Sequence, residues 1–165
     1  MSGSAVAGIR AAAPADLPAV LALWREAAAP TSTDDADSLA ALLRRDPGAL
    51  LVAEASGRIV GTVVAGWDGW RGSVYRLAVA PAHRRAGLGR RLLAAAEARL
   101  DALGARRQHA IVVGDDARAV AFWGSTHWEH QEGQLRFART GGAGRAPGAA
   151  GGARHGGTVG GDRAS

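Results

Sequence analysis

The sequence predicts an α+β domain, and three features carry that prediction. One apolar run near the N-terminus is followed by two segments with apolar residues at helical spacing. Three Val-rich runs separated by turn residues come next, and helix and strand signals then alternate to the end of the patterned region. The order is β-αα-βββ-α-β-α-ββ, with no internal repeat. A chain of 165 residues suffices for one core and is too short for two domains of ordinary size.

Residues 8–12 fit a first strand. Asp16 stands at a helix N-cap position, and Leu17, Val20, Leu21 and Trp24 recur at helical spacing, which predicts a helix over about 16–28. The run 29–32 (APTS) signals a turn. Asp34 or Asp35 then caps a second helix carrying Leu39, Leu42 and Leu43, closed by Asp46-Pro47-Gly48. Residues 50–55 (LLVAEA), a Ser56-Gly57 turn, 58–67 (RIVGTVVAGW), the loop 68–72 (DGWRG) and 73–79 (SVYRLAV) read as an antiparallel meander. A helix over 87–103 follows, with Leu92, Ala96, Leu100 and Leu103 on one face and Gly104 at its C-terminal cap. A strand at 108–113, a helix at 116–125 and two strands near 127–131 and 133–138 complete the expected domain.

Composition sets the limits. From 141 to 165 the chain holds ten glycines and almost no large apolar residue, so it cannot bury enough surface to offset its ordering entropy. The domain is accordingly placed at 1–139, with 140–165 as a disordered Gly/Ala/Arg-rich tail. All 20 basic residues are arginine, which gives a net charge of +5 and a pI near 11.3. Arg145, Arg154 and Arg163 against Asp162 put two of those charges in the tail and leave about +3 on the domain. That is too little for nucleic-acid binding without an aromatic platform or a basic stripe. The chain has no cysteine, which excludes disulfides, thiolate metal sites and a cysteinyl acyl intermediate. Asp16 interrupts the N-terminal apolar run and no stretch reaches membrane-spanning length, so a cytoplasmic protein without a membrane partner is expected.

The chemistry concentrates between the third Val-rich run and the long helix, where Arg84-Arg85-Ala86-Gly87-Leu88-Gly89 is followed by Arg90 and Arg91. Glycines let backbone approach a ligand, the first helical N–H groups lack partners, and the helix dipole favours an anion there. Arginines around the same end add charge-assisted donors, and a pyrophosphate suits the ensemble. Two other phosphate loops are excluded. A P-loop needs a lysine, and a dinucleotide fingerprint needs a third glycine where Leu92 stands.

With Val79 and Pro81 before the glycines and Leu92-Leu93 after them, this stretch resembles the cofactor-binding motif of the GNAT superfamily of acyl-CoA N-acyltransferases. The resemblance covers about residues 8–138, and LLVAEASGRIVGTVVAGWDGWRGSVYRLAV is similar to the YpeA-like branch of small bacterial members. It implies a GNAT-type fold with a mixed, mostly antiparallel central sheet flanked by helices, and acetyl-CoA as acetyl donor. It also implies that the backbone of Arg84, Arg85, Ala86, Gly87, Leu88, Gly89 and Arg90 holds the CoA pyrophosphate, and that the main chain of Leu77, Ala78 and Val79 pairs with the pantetheine. A second family motif, Asn-x-x-Ala-x-x-Φ-Tyr followed by Gly-Phe, falls at 116–123. Here Asp116 replaces the asparagine, Trp123 the tyrosine, and His127-Trp128 the Gly-Phe pair. Asp116 and Trp123 are kept as cofactor-binding positions. An indole N–H cannot deliver the proton that the family tyrosine gives to the departing thiolate.

No carboxylate occurs on 73–79, and strand alternation puts Tyr75 on the face of Leu77 and Val79. Tyr75 is therefore the candidate catalytic residue, as proton relay or thiolate donor; packing at a sheet edge with a wet hydroxyl is the other reading. Asp68, with Trp67 and Trp70 as aromatic walls, either orients an acceptor amine or holds a turn. His83 fits contact with phosphate or solvent, and His127 and His130 show no metal-ligand spacing. The expected reaction moves acetyl directly from acetyl-CoA to a primary amine of a small molecule or peptide. A non-catalytic acyl-CoA-binding module is the alternative, and a homodimer is a further expectation from the resemblance.

Overall fold

The computed structural model describes residues 6–27, 34–112 and 115–139. Contacts divide the chain into two units, 1–126 and 127–165, each taken by itself. The predicted tail 140–165, the loop 29–32 and the end of the predicted strand at 113 lie outside the described residues.

In the first unit the strands are β1 (Val6–Ala11), β2 (Leu50–Ala55), β3 (Arg58–Trp67), β4 (Gly72–Val79) and β5 (Gln108–Ala110). The helices are α1 (Leu17–Ala27), α2 (Ala36–Arg45), α3 (Leu88–Ala102) and α4 (Ala117–Gly124). The sheet runs β1-β2-β3-β4-β5, antiparallel through β4 and parallel between β4 and β5. Short turns join β2 to β3 and β3 to β4, α1 and α2 lie between β1 and β2, and the α3 crossover makes β4 and β5 parallel. The order and the mixed, mostly antiparallel sheet are those expected. The choice between Asp34 and Asp35 is resolved too: Asp35 caps α2 by accepting from the Ser38 N–H at 2.7 Å, whereas Asp34 pairs with Arg76.

Register assigns the faces. Thr62 and Val64 of β3 look toward α1 and α2, where Val20, Trp24, Leu39, Leu43, Val52 and Ala78 are buried together. Gly61 looks toward α3, and a Cβ there would lie 2.8 Å from Leu92 Cδ1. Both faces of β3 are thus covered, which explains its unbroken burial from Val60 to Ala65.

β4 carries an irregularity that alternation could not show. Thr62 pairs with Ala78 and Val64 with Tyr75, so Arg76 and Leu77 together oppose Val63. This is a β-bulge, and Arg76 has φ of 49°. The extra residue shifts side-chain parity along the strand. Tyr75 therefore shares its face with Val64 and Ala78, while Val79 pairs with Gly61 on the α3 side. The expectation that Tyr75 and Val79 share a face is corrected by this one residue. A buried relay secures the bulge: Trp24 Nε1 donates to Thr62 Oγ1 at 2.8 Å, and that hydroxyl donates to the Arg76 carbonyl at 3.0 Å.

Two sequence expectations fail toward the C-terminus. β5 keeps three residues, Gln108–Ala110, of the predicted 108–113. In the second unit no strand occurs among the described residues 127–139, where a hairpin was expected. The alternating sequence there does not bury its apolar positions, since Leu135 is 82% and Phe137 90% exposed. Alternation supplies neither a ladder partner nor a covered face, and an isolated hairpin is marginal in water.

Candidate active site

The Arg-rich turn becomes the start of α3. Arg85 (φ 62°) and Gly87 (φ 76°) both take left-handed backbone, which lifts the chain off the end of β4 and into the helix. Gly87 is the N-cap and α3 receives no side-chain cap, so its first N–H groups are open to a ligand. A Cβ on Gly87 would meet nothing within 4 Å, whereas one on Gly89 would lie 3.2 Å from Phe122 Cε2. The two glycines therefore differ in purpose. Gly87 makes the turn and leaves space beside it; Gly89 admits α4.

The arginines divide as well. Arg84 turns inward, with Nε donating to the Val79 carbonyl at 3.1 Å and Nη2 to the Ala27 carbonyl at 3.3 Å. Arg90 reaches across to the end of α4, where Nη2 donates to Ser125 O and Oγ, both at 2.9 Å. These two guanidiniums brace strand to helix and helix to helix, which corrects the picture of four arginines all turned to phosphate. Arg85, Ala86, Gly87 and Arg91 are exposed, and Leu88 is buried as the anchor of the first turn. His83 is held in the short 3-10 turn Pro81–His83, and its Nδ1 is buried without a hydrogen-bond partner among the described residues.

Next to this turn the sheet opens. The parallel ladder between β4 and β5 holds Gly72 to Gln108, Ser73 to His109 and Val74 to Ala110, and then ends. Beyond it, Tyr75 to Val79 run along a gap with no strand against their far edge among the described residues. Leu77, Ala78 and Val79 line that edge, although the Val79 carbonyl is engaged by Arg84. An extended ligand main chain can add to such an edge, and its anionic end then meets the start of α3. Uncapped N–H groups, free space at Gly87, exposed Arg85 and Arg91 and an open strand edge fit an acyl-CoA.

Other predicted residues have local duties. The Asp116 carboxylate caps α4, accepting from Arg118 N at 3.1 Å and Ala119 N at 3.0 Å. Trp123 lies on α4 with its ring edge-on to Phe122 at 5.8 Å. Asp68 accepts from the Arg71 N–H at 2.6 Å and the Trp70 N–H at 2.8 Å; these bonds, Arg71 first, hold its carboxyl below the usual range. It secures the β3–β4 turn. Trp67, Trp70, Arg71, Arg106 and Arg107 border a cleft of about 420 Å³ near the C-terminal end of α3. That cleft is separated from Gly87 by a helix about 22 Å long. Among the described residues no cluster of His, Asp and Glu is arranged to hold a metal ion. Sequence reasoning passed over His109, which meets Ser73 Oγ through Nε2 at 3.0 Å. No linear motif marks that contact, because it depends on the register between two strands 36 residues apart.

Residues 17–127 match the acetyltransferase (GNAT) family. The chain belongs to that family. An acetyltransferase from Pectobacterium atrosepticum is 34% identical over 115 residues, covering 69% of this chain and 82% of the relative. One from Sodalis glossinidius is 34% identical over 93 residues, 56% of this chain and 66% of the relative. One from Yersinia enterocolitica is 38% identical over 90 residues, 54% and 64% respectively. The matched stretch thus spans roughly two thirds of these last two relatives. Among solved structures, an aminoglycoside 6'-N-acetyltransferase from Acinetobacter haemolyticus superposes with a TM-score of 0.67 at 19% identity, over 81% of this chain and 98% of that one. Ard1 from Thermoplasma volcanium gives 0.64 at 22% identity, over 71% and 78%. At such identities the likeness establishes the GNAT fold.

Proposed function

We propose that this GNAT protein, an acetyl-CoA-dependent acetyltransferase, passes the acetyl group directly to a primary amine of a small molecule or peptide. One observation carries the reading: the β4 edge that β5 leaves unpaired, Tyr75 to Val79, leads directly to the uncapped start of α3. Solved relatives of the same fold include an aminoglycoside N-acetyltransferase bound to CoA, which supports both the donor and the amine class. The absence of cysteine rules out a cysteinyl thioester, which supports direct transfer.

The backbone from Arg85 to Gly89 and the exposed guanidiniums of Arg85 and Arg91 would hold the pyrophosphate, and the edge of Leu77 to Val79 the pantetheine. Acetyl-CoA supplies a thioester, an acyl group already activated toward an amine. The protein then has three tasks: orienting the two reactants, donating hydrogen bonds to the carbonyl oxygen, and managing protons. Tyr75 is 46% exposed on the face opposite α3, so its hydroxyl is accessible for proton transfer. Among the described residues no helix is long and apolar enough to cross a membrane. The proposed setting is the cytoplasm, which the cysteine-free composition suits.

The test pairs thiol release from acetyl-CoA across a panel of primary amines with the thermal shift that acetyl-CoA produces. Amine-dependent CoA release supports the reading. A thermal shift without release from any amine overturns it in favour of a non-catalytic acyl-CoA-binding module.

A further inference from the structure

We propose that His109 is the general base that frees the acceptor amine, with Ser73 as the residue that positions it; this rests on the acetyl-transfer reading above. His109 and Ser73 face each other on β5 and β4, and Oγ lies 3.0 Å from Nε2. Their rung is the second of three in the parallel ladder, directly before the strands part. Paired residues of a parallel ladder share a face, and so do residues two apart on a regular strand. Ser73, His109 and Tyr75 therefore stand on one side of the sheet, the side of α1 and α2. The Tyr75 ring leans over Gly66, the residue paired with Ser73: a Cβ at Gly66 would lie 3.3 Å from Tyr75 Cε2.

The charged groups around this face narrow the choice of base. β4 and β5 carry no carboxylate. Arg76 is ion-paired with Asp34 and lies 5.1 Å over the Trp24 ring. Gln108, which binds Asp101 at 2.7 Å, pairs with Gly72 on the α3 side. What remains on the strands beside the gap is an exposed imidazole and an exposed phenol. Imidazole is the side chain suited to accept a proton near neutral pH.

The step balances as follows. The acceptor arrives as an ammonium, and Nε2–H of His109 donates to Ser73 Oγ, leaving the Nδ1 lone pair to take one ammonium proton. The neutral amine forms a bond to the thioester carbonyl carbon. The C–S bond breaks with its electron pair on sulfur. The proton shed by the new amide nitrogen reaches that sulfur through the Tyr75 hydroxyl, which gives one proton and regains one. His109 returns its proton to solvent. Amine cation and thioester become amide, thiol and one free proton.

The experiment uses the full chain, acetyl-CoA and an accepted primary amine. His109→Gln should lower kcat/KM by about 100-fold near neutral pH, with the deficit shrinking as rising pH deprotonates the free amine. The thermal shift with acetyl-CoA should stay at the wild-type value, and added imidazole should restore part of the rate. Ser73→Ala should lower kcat about 5-fold and change the His109 ring tautomer read by nitrogen-15 NMR, a response that a structural role would not give. Wild-type turnover with His109→Gln folded and within threefold of it would overturn the proposal alone. Absence of turnover with every amine, despite an acetyl-CoA thermal shift, would overturn the acetyl-transfer reading and the base with it.

Discussion

Helix beginnings separate this molecule into two kinds of site. Before α1, Asp16 accepts from the Ala13 N–H at 2.7 Å; α2 starts on Asp35, and α4 on Asp116 with two N–H groups bound. Asp35 and Asp116 satisfy backbone donors of their own helices and place negative charge where those helices are positive, whereas Asp16 closes the 3-10 turn from which α1 continues. α3 alone among the four begins on a left-handed glycine with no side-chain cap. Two starts are finished by their own carboxylates, a third continues from the 3-10 turn Pro14–Asp16, and that of α3 is left to be finished by something else. An anion entering at α4 would have to displace Asp116, whereas at α3 it meets open N–H groups and exposed guanidiniums. The family role transferred to Asp116 thus becomes a role in holding α4.

Breaking the open start should have the largest effect. Gly87→Glu puts a carboxylate where the pyrophosphate is proposed to lie. At acetyl-CoA 100-fold above its Kd, the wild type should gain about 2.7 kcal/mol, and the variant should gain none. Gly87→Ala separates charge from backbone strain. It should cost about 1 kcal/mol because φ is 76°, yet keep the ligand-dependent shift, since a Cβ there meets nothing. Thermal melts with and without acetyl-CoA decide the matter; an undiminished shift in Gly87→Glu removes the site from α3.

The body of α4 provides the next test. Trp123 stands where the family places a phenol. If Tyr75 has taken over thiolate protonation, Tyr75→Phe should lower kcat about 10-fold with little change in acetyl-CoA Kd, because charge builds on sulfur only as the bond breaks. Trp123→Tyr should raise kcat and make the Tyr75 change less costly, a non-additivity read from the four variants. Equal kcat in Tyr75→Phe and the wild type would exclude the displaced donor.

A smaller effect is expected from the closed start of α4. Asp116→Ala removes a carboxylate that accepts from two backbone N–H groups and should cost about 1 kcal/mol. Acetyl-CoA Kd should change less than twofold. A tenfold weakening would mean that α4 shares the anion site, and the contrast between the two helices would collapse. Asp116→Asn, which retains a capping oxygen, should recover most of the stability.

These contrasts also show what the sequence disclosed. Val-rich runs and helical spacing revealed β1 to β4 and α1 to α3 because burial writes itself into composition, as in β3, where Thr62 is the one polar side chain between Val60 and Ala65. Gly87 was legible because few residues other than glycine suit its backbone. The bulge at Arg76 was not, since it depends on Trp24 and Thr62, 52 and 14 residues away in sequence. Arg84 and Arg90 read as phosphate donors because sequence gives charge but not direction. His109 needed the register of β4 on β5. At 127–139 alternation was present, yet the described residues form no strand, and the pattern misled.

The mildest prediction concerns the start that leads into α1. Arg10 Nη1 lies 2.6 Å from Asp16 Oδ2, and Nη2 reaches Glu54 at 3.0 Å, which ties β1 to the turn before α1 and to β2. The Arg10 hydrogen bond is the main cause that holds the Asp16 carboxyl below its usual range; the Ala13 N–H adds to it, and desolvation opposes both. The folded state therefore holds its proton less tightly than the unfolded chain does. The sign follows: the contribution is fully present above the unfolded carboxylate value of about 3.9 and is lost as pH falls through the lower folded value. Because Arg10 is largely exposed, solvent screening keeps the effect under about 1 kcal/mol. Urea midpoints for the wild type and Arg10→Gln should differ near neutral pH and converge below pH of about 3. Arg10→Gln also releases Glu54, so Asp16→Asn is the necessary companion: it keeps an oxygen for Ala13 but abolishes the titration. Midpoints of Asp16→Asn that fall between pH 5 and 3 as steeply as the wild type's would assign the acid sensitivity to other carboxylates.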